Sequence, residues 1–140
     1  MKKEEFSQLL VSNREEAGCS KNEMCRRIGL LFHQLQRIEN ASNNYAITHV
    51  FSYLAAINCC ICITNKEHEE CYKIQSKEEF SSVFINIRKK MNLSQRKIEA
   101  LLNVSHGVIL GIETFNKNTT IDTFLQCIYG LGYQIKIEKL

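Results

Sequence analysis

The sequence predicts a mainly helical protein made of two similar units, each closed by one β-strand, with the two strands paired antiparallel. Three observations carry this reading. First, shifting the chain by 74 residues lays Lys3-Glu4-Glu5-Phe6-Ser7 on Lys77-Glu78-Glu79-Phe80-Ser81, and the match runs on without a gap. Arg14 falls on Arg88, Ser20 on Ser94, Ile38-Glu39 on Ile112-Glu113, Asn44 on Asn118, Ile47 on Ile121, and Ile61 and Ile63 on Ile135 and Ile137, giving 13 identities over 64 aligned pairs. Second, apolar residues recur at helical spacing through most of each unit, and no proline interrupts them. Third, each unit ends in alternation of apolar and other residues.

The elements follow in order. Phe6, Leu9, Leu10 and Asn13 share one side of a first helix. Ser20-Lys21-Asn22-Glu23 reads as a capping box, which starts a short second helix through Ile28; Gly29 ends it. A third helix over 32–40 puts Leu35 and Ile38 on one side, and a fourth over 47–57 does the same with Val50, Phe51 and Leu54. The second unit repeats this from Phe80, with Ser94, Ser105 and Thr120 positioned to cap its second, third and fourth helices. Asn58 and Gly132, aligned by the repeat, tolerate the left-handed conformation that ends a helix. Beyond them Cys59, Ile61 and Ile63 alternate with Cys60, Cys62 and Thr64, as Tyr133, Ile135 and Ile137 do with Gln134, Lys136 and Glu138. One strand per unit would leave its backbone groups unmatched, so the economical solution is pairing across a local twofold. The domains are then 1–64, a charged connector 65–76 read as partly helical, and 77–140.

Composition sets limits on function. No apolar run approaches the ~18 residues that span a bilayer, and the N-terminal residues carry charge where a signal peptide has its apolar core, so no membrane partner and a cytoplasmic location are expected. The seven cysteines are accordingly read as reduced. Cys59, Cys60, Cys62, His68 and Cys71 invite a zinc reading, but their spacing fits no ordinary knuckle, and buried small apolar groups account for them better. With no Gly-rich phosphate loop, no His-Glu-x-x-His and no nucleophile elbow, neither an enzyme nor a cofactor is expected. The net charge of +3 is uneven: residues 1–70 carry 8 basic and 9 acidic side chains, residues 71–140 carry 10 and 6.

In the second unit Asn92-Leu93-Ser94-Gln95, Ile98, Leu102-Asn103-Val104-Ser105, Ile109 and Ile112-Glu113 resemble the helix-turn-helix of the lambda-repressor-like (Cro-like) DNA-binding domains. The first unit matches at Ser20, Met24, Cys25, Ile28-Gly29-Leu30, Leu35 and Arg37-Ile38-Glu39. The chain also departs from the family pattern: Glu99 stands where the family has a small residue, Asn103 where it has the turn glycine, and Lys21 where a glutamine is usual. A repressor-like unit with a terminal strand is also similar to certain antitoxins, whose dimers join through such strands. The resemblance implies two four- or five-helix units fused into a single-chain pseudo-dimer, monomeric or further dimerised. It implies a sequence-specific transcriptional regulator of repressor type with double-stranded DNA as partner. The alternative it leaves open is an antitoxin-like interaction module that holds a protein such as a toxin.

In that family the third helix enters the major groove. With Leu35 and Ile38 buried, His33, Gln36 and Arg37 point outward and Phe32 lies at the margin, a set able to bond guanine and adenine edges or touch a thymine methyl. The same construction on the second unit gives Gly107, Leu110 and Gly111, with His106 at the margin and Ser105 as cap. Base reading is therefore expected from Phe32, His33, Gln36, Arg37, Ser105, His106 and Gly107. Phosphate contacts are expected from Lys21, Arg88, Lys89, Lys90, Gln95, Arg96, Lys97, Lys117 and Asn118, the second unit supplying a basic platform under a face with few donors.

Overall fold

The computed structural model describes residues 1–114 and 118–140. Four helices, α1 (Lys3–Glu16), α2 (Lys21–Ile28), α3 (Phe32–Glu39) and α4 (Ile47–Ala56), lead into strands β1 (Cys59–Asn65) and β2 (Glu70–Ile74). Four more, α5 (Lys77–Lys90), α6 (Gln95–Leu102), α7 (His106–Thr114) and α8 (Ile121–Gly130), lead into β3 (Gln134–Lys139). The three strands form one antiparallel sheet in the order β2-β1-β3. No helix among the described residues is long and apolar enough to cross a membrane.

Local chemistry explains the helix boundaries. Acidic side chains occupy the first turn of α1 and α5 and basic ones the last, opposing the helix dipole. Ser20, Ser76 and Ser94 each accept the backbone N–H three residues on, at 3.1 Å. The reciprocal half of the expected capping box is absent: Glu23 turns to Arg27 on the next helical turn instead. Thr120 bonds the hydroxyl of Thr123 in place of a backbone donor. Helices α2 and α6 end on left-handed residues, Gly29 and Asn103, and the aligned Asn58 and Gly132 also have positive φ.

Tertiary contacts recur at the same spacing as the sequence. Ser7 Oγ donates to the carbonyl of Ile38 and Ser81 Oγ to that of Ile112, both at 2.6 Å. Arg14 Nε donates to Glu39 and Arg88 Nε to Glu113, both at 2.7 Å, while the same guanidinium groups reach the carbonyls of Cys19 and Leu93. Ile47 N–H donates to Thr119 O at 2.9 Å and Ile121 N–H to Tyr45 O at 2.8 Å, which makes an isolated bridge between Ala46 and Thr120. β1 pairs with β3 from Cys59↔Lys139 to Thr64↔Gln134, so the expected antiparallel pairing is present. A single apolar core runs from Phe6, Leu10, Met24 and Leu35 through Ile61 and Ile63 to Phe80, Phe84, Ile98 and Phe124.

The connector departs from its expected partly helical form. Residues 70–74 form β2, which folds back on β1 with Ile61 opposite Ile74 and Ile63 opposite Tyr72. The short segment extends because β1 offers it a full ladder of backbone partners and a place for Tyr72 and Ile74 on the core side. Pairing also revises the reading of all cysteines as reduced. Cys62 and Cys71, diagonal neighbours on one face of the hairpin, are joined as a disulfide with Cα atoms 6.4 Å apart.

Burial of titratable groups gives a first prediction. Burial pushes the Tyr45 and Tyr133 hydroxyls and the Cys127 thiol up to about 12, from ordinary values of 10.0 and 9.0. A raised pKa favours the fold while the group is protonated, so this stabilisation is complete below pH 9.0 and is lost as pH climbs toward about 12. Urea midpoints measured across that interval should fall steadily; a flat profile would contradict the burial of these groups.

Candidate nucleic-acid interface

Helices α2 and α3 are joined by three residues. Gly29 turns the chain in the left-handed conformation with its N–H on Cys25 O, and Leu30 N–H reaches the same carbonyl. Gln34 then bends back so that its Oε1 accepts the Leu31 N–H at 2.9 Å, closing the first turn of α3. This short turn, with Met24, Leu35 and Ile38 buried beneath it, fixes the direction of α3 relative to α2.

The outer face of α3 follows from that anchoring. His33 and Arg37 are exposed, Gln36 is half-buried, and none of the three makes a side-chain hydrogen bond or ion pair among the described residues. Phe32 is 46% exposed, and the Lys21 ammonium stands 5.8 Å from its ring centroid, so Lys21 is partly engaged by a cation–π contact. Leu31, 62% exposed beside it, was not singled out by the sequence reading, because helical periodicity says nothing about a residue just outside a helix. Arg37 also lines a cleft of about 270 Å³ between α3 and the 43–46 segment, together with Asn44 and His49.

The second turn-helix has the same frame and different chemistry. Asn103 takes the left-handed position, and Ser105 Oγ accepts the Val108 N–H at 3.4 Å. His106 is exposed, and its Nδ1 faces the Glu99 carboxylate, a partner the sequence did not reveal. Gly107 is half-buried and Leu110 exposed, but Gly111 is buried, which corrects its assignment to the outer face: it lies on the side of α7 turned toward the 118–120 segment. The adjoining cleft, about 150 Å³, is lined by Gly107, Val108, Gly111, Asn118 and Thr123, four of them aligned with residues that line the first cleft.

The basic platform is smaller than the charge run suggests. Arg88 is turned inward in its two-pronged pair with Glu113, and Gln95 Nε2 donates to the same carboxylate at 3.1 Å. Lys90 donates to Glu70 Oε2 at 3.2 Å and to the Tyr72 hydroxyl at 2.9 Å. Glu70 collects Tyr72, Lys90 and Tyr133, and the Tyr72 hydroxyl, foremost among these, holds its carboxyl below the usual range. Lys89, Arg96 and Lys97 remain exposed, with no ion pair among the described residues, and Asn118 is exposed near the α7 cleft. Lys117 lies outside the described residues. Sequence reasoning missed the Glu70 cluster, although the alternation of Tyr72 and Ile74 with Cys71 and Lys73 was a signal for the strand that builds it.

Among the described residues no three His, Cys, Asp or Glu side chains converge to hold a metal. Comparison of the chain with protein-family models, with curated proteins and with solved structures found no match.

Proposed function

We propose that this chain is a sequence-specific DNA-binding regulator, a single-chain pseudo-dimer of two helix-turn-helix units that present α3 and α7 to duplex DNA. The observation that carries the reading is the outer face of α3: His33, Gln36 and Arg37 stand without side-chain partners among the described residues, on a helix braced by a short turn. The pseudo-dimer is supported by two pairs of residues 74 apart that meet each other, Ala46 with Thr120 and Cys62 with Lys136. Residues related by a local twofold meet their own counterparts only at the axis. Helices α4 and α8 run from the first pair to the sheet, a rise of about 15 Å, with α2 packed along α4 and α6 along α8.

Binding is expected to be held by exposed cations, among them Lys89, Arg96 and Lys97, and read by α3. Fluorescence anisotropy with a mixed-sequence duplex at several salt concentrations tests this. Each phosphate neutralised adds about 0.9 to the slope of log K against log salt, so a slope of about 3 to 5 is expected. A duplex that fails to bind at low salt would remove the proposal.

The second reading, an antitoxin-like module for a protein partner, is favoured by the exposed Leu31, Phe32 and Leu110 on the same faces. An apolar contact built on them would be nearly independent of salt.

A further inference from the structure

We infer that the open edge of β3 pairs with β3 of a second copy of this chain, joining two molecules through a six-stranded sheet. In an antiparallel ladder, alternate residues of a strand bond one neighbour and the residues between them face away. Leu140 N–H donates to Asn58 O at 2.9 Å, so the even-numbered residues of this end of the chain bond β1. Ile135 N–H points the other way, toward the Tyr129 hydroxyl at a long 3.4 Å. Ile135, Ile137 and Lys139 are therefore the residues whose backbone groups line the free edge.

The residues 74 positions earlier, Ile61, Ile63 and Asn65, are the ones that register with Ile74, Tyr72 and Glu70 on β2. The edge of β1 that is satisfied by β2 thus has a counterpart on β3, and no described strand lies against it. An open edge of this kind is a template for another strand.

Charge selects which strand. Ile137 of one copy set against Ile137 of the other puts Lys136 opposite Glu138 twice and brings the two Ile137 side chains together on the core side. Slipping by two residues either way, the smallest shift that keeps the same backbone groups facing the partner, sets Lys136 against Lys136 or Glu138 against Glu138, and like charges directly opposite are destabilising. The lysines that discourage an arbitrary strand therefore admit a second β3 in one register. The contact is isologous, as a closed dimer requires. Neither α3 nor α7 is part of it, so it does not depend on whether those helices bind DNA. The contact is a single short strand pair, so the dimer is concentration-dependent.

Sedimentation equilibrium of the full chain over a wide concentration range is the test. The wild type should pass from monomer to dimer, and Lys136→Glu and Glu138→Lys should each remain monomeric over the same range. Lys136 is exposed and Glu138 half-buried, and the Glu138 contact with Lys73 is a 3.8 Å surface pair, so folding should survive either change. Mixing the two variants recreates a Lys–Glu match at both positions and should restore the dimer, which also proves both are folded. A wild type that stays monomeric, single variants that still dimerise, or a mixture that does not recover would each overturn the inference.

Discussion

Replacing Glu39 with Ala should cost the fold roughly 3 to 5 kcal/mol, the usual penalty for removing one partner of a buried ion pair. Arg14 and Glu39 have side chains only 7% and 2% exposed, joined by bonds of 2.7 and 3.2 Å. Tyr53 donates to the same carboxylate at 2.6 Å, so the substitution also takes away the closer of its two acceptors. Burial alone would lower the Arg14 pKa, and the hydrogen bonds and charges of Glu39 and Tyr53 together more than reverse that, leaving the guanidinium charged. Without Glu39 this charge would keep one carbonyl, that of Cys19, as its partner. Paired replacement with apolar residues, Arg14→Met with Glu39→Leu, should cost less than the sum of the single changes, because no buried charge is left behind. Urea unfolding of Glu39→Ala, of Arg14→Met and Glu39→Leu singly, and of the double variant measures this; a Glu39→Ala loss below about 1 kcal/mol, or strict additivity in the pair, would contradict it.

Replacing Arg37 with Ala should cost about 1 to 3 kcal/mol on the preferred duplex and little on mixed sequence, as expected for a base contact. Replacing Arg96 and Lys97 together should instead weaken binding to every sequence and lower the salt slope by about one for each phosphate no longer neutralised. The division follows from the two faces. α3 offers His33, Gln36 and Arg37, whereas α7 offers Gly107 and Leu110, with His106 occupied by Glu99 and Gly111 buried. Parallel titrations of both variants on preferred and mixed duplexes separate the roles, and an Arg37 variant with unchanged selectivity would overturn them.

Much of the scaffold is legible in the sequence because it is encoded locally. Ser20, Ser94 and Gly29 act through neighbours within a few residues, and the alternation around Ile61 and Ile135 needs only a two-residue period. The shared spacing of Ile61 and Ile63 with Ile135 and Ile137 also anticipates that β1 and β3 pair. What is not legible depends on distant partners. β2 is a short charged segment that becomes a strand because β1 lies beside it, and the Cys62–Cys71 link follows from that neighbourhood. The charge run from Arg88 to Lys90 reads as a patch, yet Arg88 is claimed by Glu113 and Lys90 by Glu70. One clue was present: Arg14 with Glu39 and Arg88 with Glu113 are identities of the repeat at equal separation, as a duplicated ion pair must be.

Selection of binding sites by the full chain from a pool of random duplexes is the decisive measurement for the proposed DNA recognition. One defined half-site is expected, read by α3 through Arg37, His33 and Gln36, beside a segment about one helical turn away in which no sequence is enriched. Failure to enrich any sequence, or enrichment of a true palindrome with two equally defined halves, would refute it.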